Sequence, residues 1–174
     1  RTARDHADAG TARQLPVRVR HVGGADLVTA RHVTNRGVVE GVDAADVDPE
    51  ILASLADCDT IVCFKESSGD TRRFTDLYNM IGDRFLLFAG LDDVVVESIM
   101  VGAVGWVSGL SNAFPREGET LFRLARAGRY AEAMSLYRWF MPLLHLDARP
   151  DLVQCIKLCE HIMGRGTHLT RPPR

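Results

Sequence analysis

Three short apolar runs, Thr60 to Phe64, Arg84 to Ala89 and Trp106 to Ser108, are each followed by a turn and then by a helical pattern. The runs are continuous rather than alternating, which suits strands buried on both faces of a parallel sheet. After the first run, the polar loop Glu66-Ser67-Ser68-Gly69-Asp70 leads into a helix with Phe74, Leu77, Tyr78 and Ile81 on one face, stopped by Gly82. After the second, Gly90 turns the chain and Asp92 or Asp93 caps a helix carrying Val95, Ile99 and Met100, ended by Gly102. After the third, Asn112 to Pro115 starts a helix with Leu121, Phe122 and Leu124, ended near Gly128. Strand and helix in strict alternation predict βαβ units and an α/β fold.

The flanks differ from this core. Upstream, Asp48-Pro49-Glu50 opens a short helix that ends near Asp57. Downstream the pattern is helical only: Tyr130 to Leu146, with a kink expected at Pro142, then Pro150 to Met163, stopped by Gly164. Residues 1–36 hold seven arginines and three histidines, with apolar residues at neither helical nor strand period. All twelve aromatic residues lie from Phe64 onward. The expected organisation is therefore an atypical segment over 1–45, disordered or frame-shifted, a partial barrel over 46–115, and a helical part over 116–174.

Bulk composition excludes more than it names. A chain of 174 residues with a formal charge of −2 and mixed signs has no basic field for nucleic acid, and the early arginines come without an aromatic to stack on a base. No run approaches the roughly 18 apolar residues of a membrane span, and the start lacks a secretory pattern. Cys58, Cys63, Cys155 and Cys159 form no CxxC pair and stand at no zinc spacing, so they read as small hydrophobes in a reducing, cytoplasmic setting. No metal and no organic cofactor is expected.

Lys65 is conspicuous, because the chain has only two lysines, Lys65 and Lys157. It follows directly on Ile61-Val62-Cys63-Phe64, at the strand end where parallel α/β folds place reactive groups. An ammonium among apolar side chains loses hydration, its pKa falls, and the neutral amine can attack a carbonyl. The alternative is a lysine that reaches solvent or pairs with Glu66. Other features have plainer readings. Ser67 and Ser68 beside Gly69 lack the spacing of a phosphate loop. Asp92 and Asp93 read as a helix cap and its first-turn neighbour rather than as paired catalytic carboxylates. His145, His161 and His168 share no ligand spacing.

The stretch Phe64-Lys65-Glu66-Ser67-Ser68-Gly69-Asp70 resembles the lysine loop of the dihydrodipicolinate synthase / N-acetylneuraminate lyase family. Phe88-Ala89-Gly90-Leu91-Asp92-Asp93 resembles that family's turn after strand seven. Gly102 to Gly109, with Asn112 and Pro115, resembles its strand-eight signature. The resemblance covers residues 46–174 and implies the C-terminal part of a (β/α)8 barrel, strands six to eight, with helices after it. It implies that Lys65 forms a Schiff base with a 2-oxo acid such as pyruvate, that Gly90 lies beside the substrate, and that the Val107 backbone faces it. The motifs look nearer to the branch that deaminates pyrroline-4-hydroxy-2-carboxylate than to the lysine-biosynthetic synthases. Homo-oligomers are usual among such proteins.

Two departures accompany the resemblance. The family's relay tyrosine belongs upstream of the lysine, and alignment on Pro49 puts Gly37 there. Nothing corresponds to the early loop that binds the substrate carboxylate, and a complete barrel needs about 250 residues. A non-catalytic remnant, or a half-barrel docked on a partner, is the competing expectation.

Overall fold

The computed structural model describes residues 47–172. The segment 1–45, Gly37 and the early arginines lie outside them. Helix α1 (Pro49–Ala53) precedes strand β1 (Cys63–Glu66), and helix α2 (Arg72–Ile81) leads to strand β2 (Leu86–Ala89). Helix α3 (Val95–Met100) follows a short 3-10 turn at Asp92–Val94, and strand β3 (Gly105–Trp106) follows α3. Then come a turn at Leu110–Asn112, helix α4 (Pro115–Arg126), helix α5 (Tyr130–Leu144), a turn at His145–Ala148 and helix α6 (Leu152–Ile162).

The three strands pair in parallel in the order β1-β2-β3, with Phe64 opposite Leu87 and Lys65 opposite Phe88, which in turn stands opposite Gly105. Paired residues share a face of the sheet. Phe64 and Leu87 therefore face the helices, where Phe74 and Leu77 of α2 are buried with Phe85, Leu87, Ala89, Val95 and Ile99. Cys63, Lys65, Leu86 and Phe88 face the opposite way. Gly105 leaves room on that face, since a Cβ there would collide with the Phe88 ring.

This two-sidedness corrects the expectation of strands buried on both faces. Leu86 is 40% exposed between buried Phe85 and Leu87. Among the described residues the helices bury Phe85, Leu87 and Ala89 while Leu86 and Phe88 on the other face are only partly covered, and β1 and β3 each have one unpaired edge. The strand limits shift for a related reason. Pairing at Cys63↔Leu86 starts β1 three residues after Thr60 and carries it through Lys65 to Glu66, the first residue of the expected polar loop.

The helices follow the sequence more closely. α2 ends at Gly82 in a positive-φ conformation (62°), where the Gly82 amide donates to the Tyr78 carbonyl. α4 begins at Pro115, whose missing N–H is no loss in a first turn, and Leu121 and Ala125 on its inner face are buried. α5 runs through Pro142 as one helix to Leu144 rather than to Leu146, and packs Ala133, Tyr137, Phe140 and Leu144 into the core. Each such large apolar side chain, fully buried, contributes about 1.5–3 kcal/mol. α6 begins at Leu152, two residues later than the proline suggested.

Arg84 fastens the loop between α1 and β1. Its guanidinium donates to the carbonyls of Ala56 (2.7 Å), Cys58 (2.8 Å) and Ile61 (3.1 Å) and lies over the Phe85 ring. Truncation by Arg84→Ala strands three carbonyls, and the expected loss is about 1–3 kcal/mol, read from the urea midpoint of unfolding.

Candidate active site at the strand ends

Lys65, Gly90 and Val107 converge on one end of the sheet. Lys65 lies in the last two residues of β1, Gly90 directly follows β2, and Val107 directly follows β3, its amide donating to the Ala89 carbonyl at 3.0 Å. In a parallel sheet this is the C-terminal edge, where helix amides and loop ends gather. Lys65 is half-buried, and burial pushes its amine below the usual lysine range. The carboxylates of Asp147 and, more weakly, Asp92 oppose that shift.

The loop after Lys65 is built from its own polar groups. Glu66 turns away from the lysine: its carboxylate pairs with Arg73 at 3.1 Å, with both side chains largely buried, and accepts from the Ser68 amide. The expected alternative of a Lys65–Glu66 pair therefore does not hold. Ser68 Oγ accepts from the Asp70 amide at 3.1 Å, and Asp70 Oδ1 accepts from the Arg72 amide at 3.0 Å. A carboxylate thus already occupies the start of α2, which disfavours a phosphate there. Ser67 is only 2% exposed, and its Oγ has no hydrogen-bond partner among the described residues. Gly90 has no side chain because none fits: a Cβ would sit within 3.0 Å of Ser67 Oγ and of the Glu66 carbonyl.

Asp92 and Asp93 are not a helix cap and its neighbour, as local sequence suggested. Neither makes a side-chain bond to the start of the helix. Asp92 is fully buried, accepting from Trp106 Nε1 (3.0 Å) on Oδ1 and from the Leu110 amide (2.8 Å) on Oδ2. It thereby ties the turn after β2 to β3 and to the turn beyond. Burial, then the nearby Asp147 carboxylate, push its pKa up to about 7 against those hydrogen bonds. Asp93 Oδ2 meets His145 Nδ1 at 3.0 Å, while its carbonyl accepts from the buried Tyr137 hydroxyl, which also lies 2.8 Å from Glu97 Oε2. Burial and the Glu97 carboxylate hold the Tyr137 phenol above its ordinary range.

Asp147 was not anticipated. It stands in the turn after α5, is 7% exposed, and its Oδ2 accepts from the Asp92 amide at 3.4 Å. Burial raises its pKa and Lys65 lowers it. The only hint in the sequence is one acid in the apolar stretch Leu143-Leu144-His145-Leu146-Asp147. His161 and His168 meet edge to face near the C-terminus, 4.9 Å apart, away from these groups, and Cys155 and Cys159 are free and part-buried. Among the described residues no group of three or more acids, histidines or cysteines is arranged to hold a metal, and no helix is long and apolar enough to cross a membrane.

A half-open parallel sheet with a half-buried lysine at its C-terminal edge and helices packed behind defines the last part of a (β/α)8 barrel. Solved structures share this arrangement. The 4-hydroxy-tetrahydrodipicolinate synthase of Methylacidiphilum fumariolicum SolV superposes with a TM-score of 0.67 at 30% identity, covering 74% of this chain and 43% of that one. The Acinetobacter baumannii dihydrodipicolinate synthase, solved with pyruvate, superposes with a TM-score of 0.68 at 23% identity over 74% and 44%. The model of the dihydrodipicolinate synthetase family matches residues 38–174, and the chain belongs to that family. The match begins eight residues before the 46 expected from the motifs. Among relatives, the 4-hydroxy-tetrahydrodipicolinate synthases of Shewanella pealeana and Prochlorococcus marinus are 34% identical over 129 residues and 33% over 105. Those matches cover 72% and 60% of this chain but 43% and 35% of the relatives, so the chain spans less than half their length.

Proposed function

We propose that Lys65 is the imine-forming nucleophile of a class I lyase acting on a 2-oxo acid such as pyruvate. The observation that carries this reading is the placement of the family's lysine: half-buried, at the C-terminal edge of a parallel sheet, with its ammonium destabilised by burial. In this reading the neutral amine attacks the keto carbon and the carbinolamine loses water. The resulting protonated imine draws electrons from the neighbouring carbon, so a C–C bond can break or form there, or a substituent can leave. Gly90 lies beside the substrate and the Val107 backbone faces it. No metal and no organic cofactor enters the step.

A second reading keeps the imine but not turnover. Among the described residues the tyrosines are Tyr78, Tyr130 and Tyr137, and none stands at the strand ends: Tyr137 is buried against Glu97 and the Asp93 carbonyl. General acid–base catalysis typically contributes about 10²–10⁴-fold. Without a relay group, imine formation would outlast productive chemistry. The relatives' names point to 4-hydroxy-tetrahydrodipicolinate synthesis, and one solved neighbour holds pyruvate, whereas the motif resemblance points to deamination of pyrroline-4-hydroxy-2-carboxylate, and assays with both substrate sets separate them.

The test is borohydride reduction in the presence of pyruvate, read by intact mass. A single adduct is expected in the wild type and none in Lys65→Ala. Absence of any adduct with pyruvate or other 2-oxo acids would remove the reading.

A further inference from the structure

Asp92 and Asp147 come from turns 55 residues apart in sequence, yet are held side by side at the sheet edge that carries Lys65. Asp92 is anchored by Trp106 and Leu110, and Asp147 by the Asp92 amide. Gly109 makes room for the second carboxyl, since a Cβ there would overlap Asp147 Oδ1 and press on Ile156 Cδ1. Among the described residues neither carboxyl has a cation of its own within ion-pair distance. The cation whose field reaches both is Lys65, and it senses Asp147 more strongly than Asp92.

We propose that Asp147 is a positioning residue for Lys65: with Asp92 it forms a buried carboxyl pair whose charge is exchanged against that of the lysine nitrogen. The proposal deepens the reading of Lys65 as the reactive amine and rests on it. Attack on a keto carbon needs a neutral amine, whereas the imine that follows is cationic. Two carboxyls in a dry site cannot easily hold two negative charges, and burial raises the pKa of both. The pair then supplies a counter-charge when the nitrogen becomes cationic and holds a proton when it is neutral.

The groups that face this cluster are few. Asp147 is surrounded by Asp92 and Asp93 from the turn after β2, by Lys65 from β1, and by His145 on its own turn, which Asp93 engages. Arg149, two residues on, is paired with Asp151. Glu66, beside Lys65, is committed to Arg73. Among the described residues Lys65 is therefore the one cation, and Asp93 the one further carboxylate, whose charge acts on Asp147 beside Asp92.

The experiment is reductive dimethylation of the whole chain with ¹³C-formaldehyde, followed by NMR titration. Two lysines give two side-chain signals apart from that of the terminal amine, and Lys157, paired with Glu160, serves as the internal reference. In the wild type the Lys65 signal is expected to show a second inflection near neutral pH that Lys157 lacks. In Asp147→Asn that inflection goes, and the Lys65 midpoint falls by about one pH unit, a tenfold change in the neutral-amine fraction. Asp147→Glu is expected to restore both. A Lys65 midpoint unmoved in folded Asp147→Asn, or a wild-type Lys65 signal with no second inflection, overturns the proposal. If Asp147→Asn does not fold, the wild-type titration decides alone. The titration uses no 2-oxo acid, so its outcome and that of the pyruvate adduct are read separately.

Discussion

Replacing Asp92 with alanine is expected to cost about 2–5 kcal/mol of stability, because the buried Leu110 amide and Trp106 indole lose their acceptor together. Chemical denaturation with tryptophan fluorescence reads it directly, since Trp106 is one of the two groups left without its partner. The subtler variant, Asp92→Asn, carries a pH signature. In the fold this carboxyl keeps its proton up to about pH 7, whereas in the unfolded chain it loses it near 3.8. Between those values the native state binds more protons than the unfolded state, so the contribution is fully present at lower pH and is lost as pH rises. The loss is of the order of 2–4 kcal/mol, shared with Asp147. Exposed pairs such as Asp70–Arg72 and Asp151–Arg149 run the other way with small effect, and the difference between wild type and Asp92→Asn isolates the buried group. Parallel stability curves for the two chains from pH 4 to pH 7 would show that Asp92 is not held protonated.

Gly90→Ala is expected to damage both the fold and the site. The added methyl would overlap the Ser67 hydroxyl and the Glu66 backbone at once. A hydroxyl can rotate away, but the Glu66 carbonyl belongs to β1, which pairs residue by residue with β2. The strands must therefore part at the end that carries Lys65. The cost is about 1–3 kcal/mol or more, with at least a tenfold drop in the rate of adduct formation. Combining the change with Ser67→Ala is expected to recover little of either, because the backbone clash remains. Full recovery in the double variant would show that the hydroxyl alone sets the limit. Urea unfolding and the time course of reductive trapping measure the two effects.

The periodic features of the sequence translated well into structure. Strand–helix alternation, Pro115 at the start of α4, and Gly82 at the end of α2 are local signals, and the fold follows them. The position of Lys65 at the strand end followed from the same kind of signal, a lysine closing an apolar run. What the local pattern misjudged depends on partners far along the chain. Leu91-Asp92-Asp93 before a helix looks like a cap, yet the donors that engage the Asp92 carboxylate lie 14 and 18 residues away. Asp147 joins the site from 55 residues beyond Asp92. The β1 limits moved because pairing with Leu86 to Ala89, rather than apolar character, decides which residues are strand. Leu86 is exposed because, among the described residues, the helices cover only the opposite face of the sheet, a property of assembly that a run of apolar residues does not encode.

Of the two lysines, we propose Lys65 alone as the chemical centre of this chain. Peptide mapping after borohydride reduction with ¹³C-labelled pyruvate tests it most directly, because Lys65 and Lys157 fall in different peptides and differ in setting: one at the strand ends, the other on α6 beside Glu160. The label is expected on Lys65 alone, at near-stoichiometric yield. Label on Lys157, equal label on both lysines, or a folded chain with no label would contradict the account.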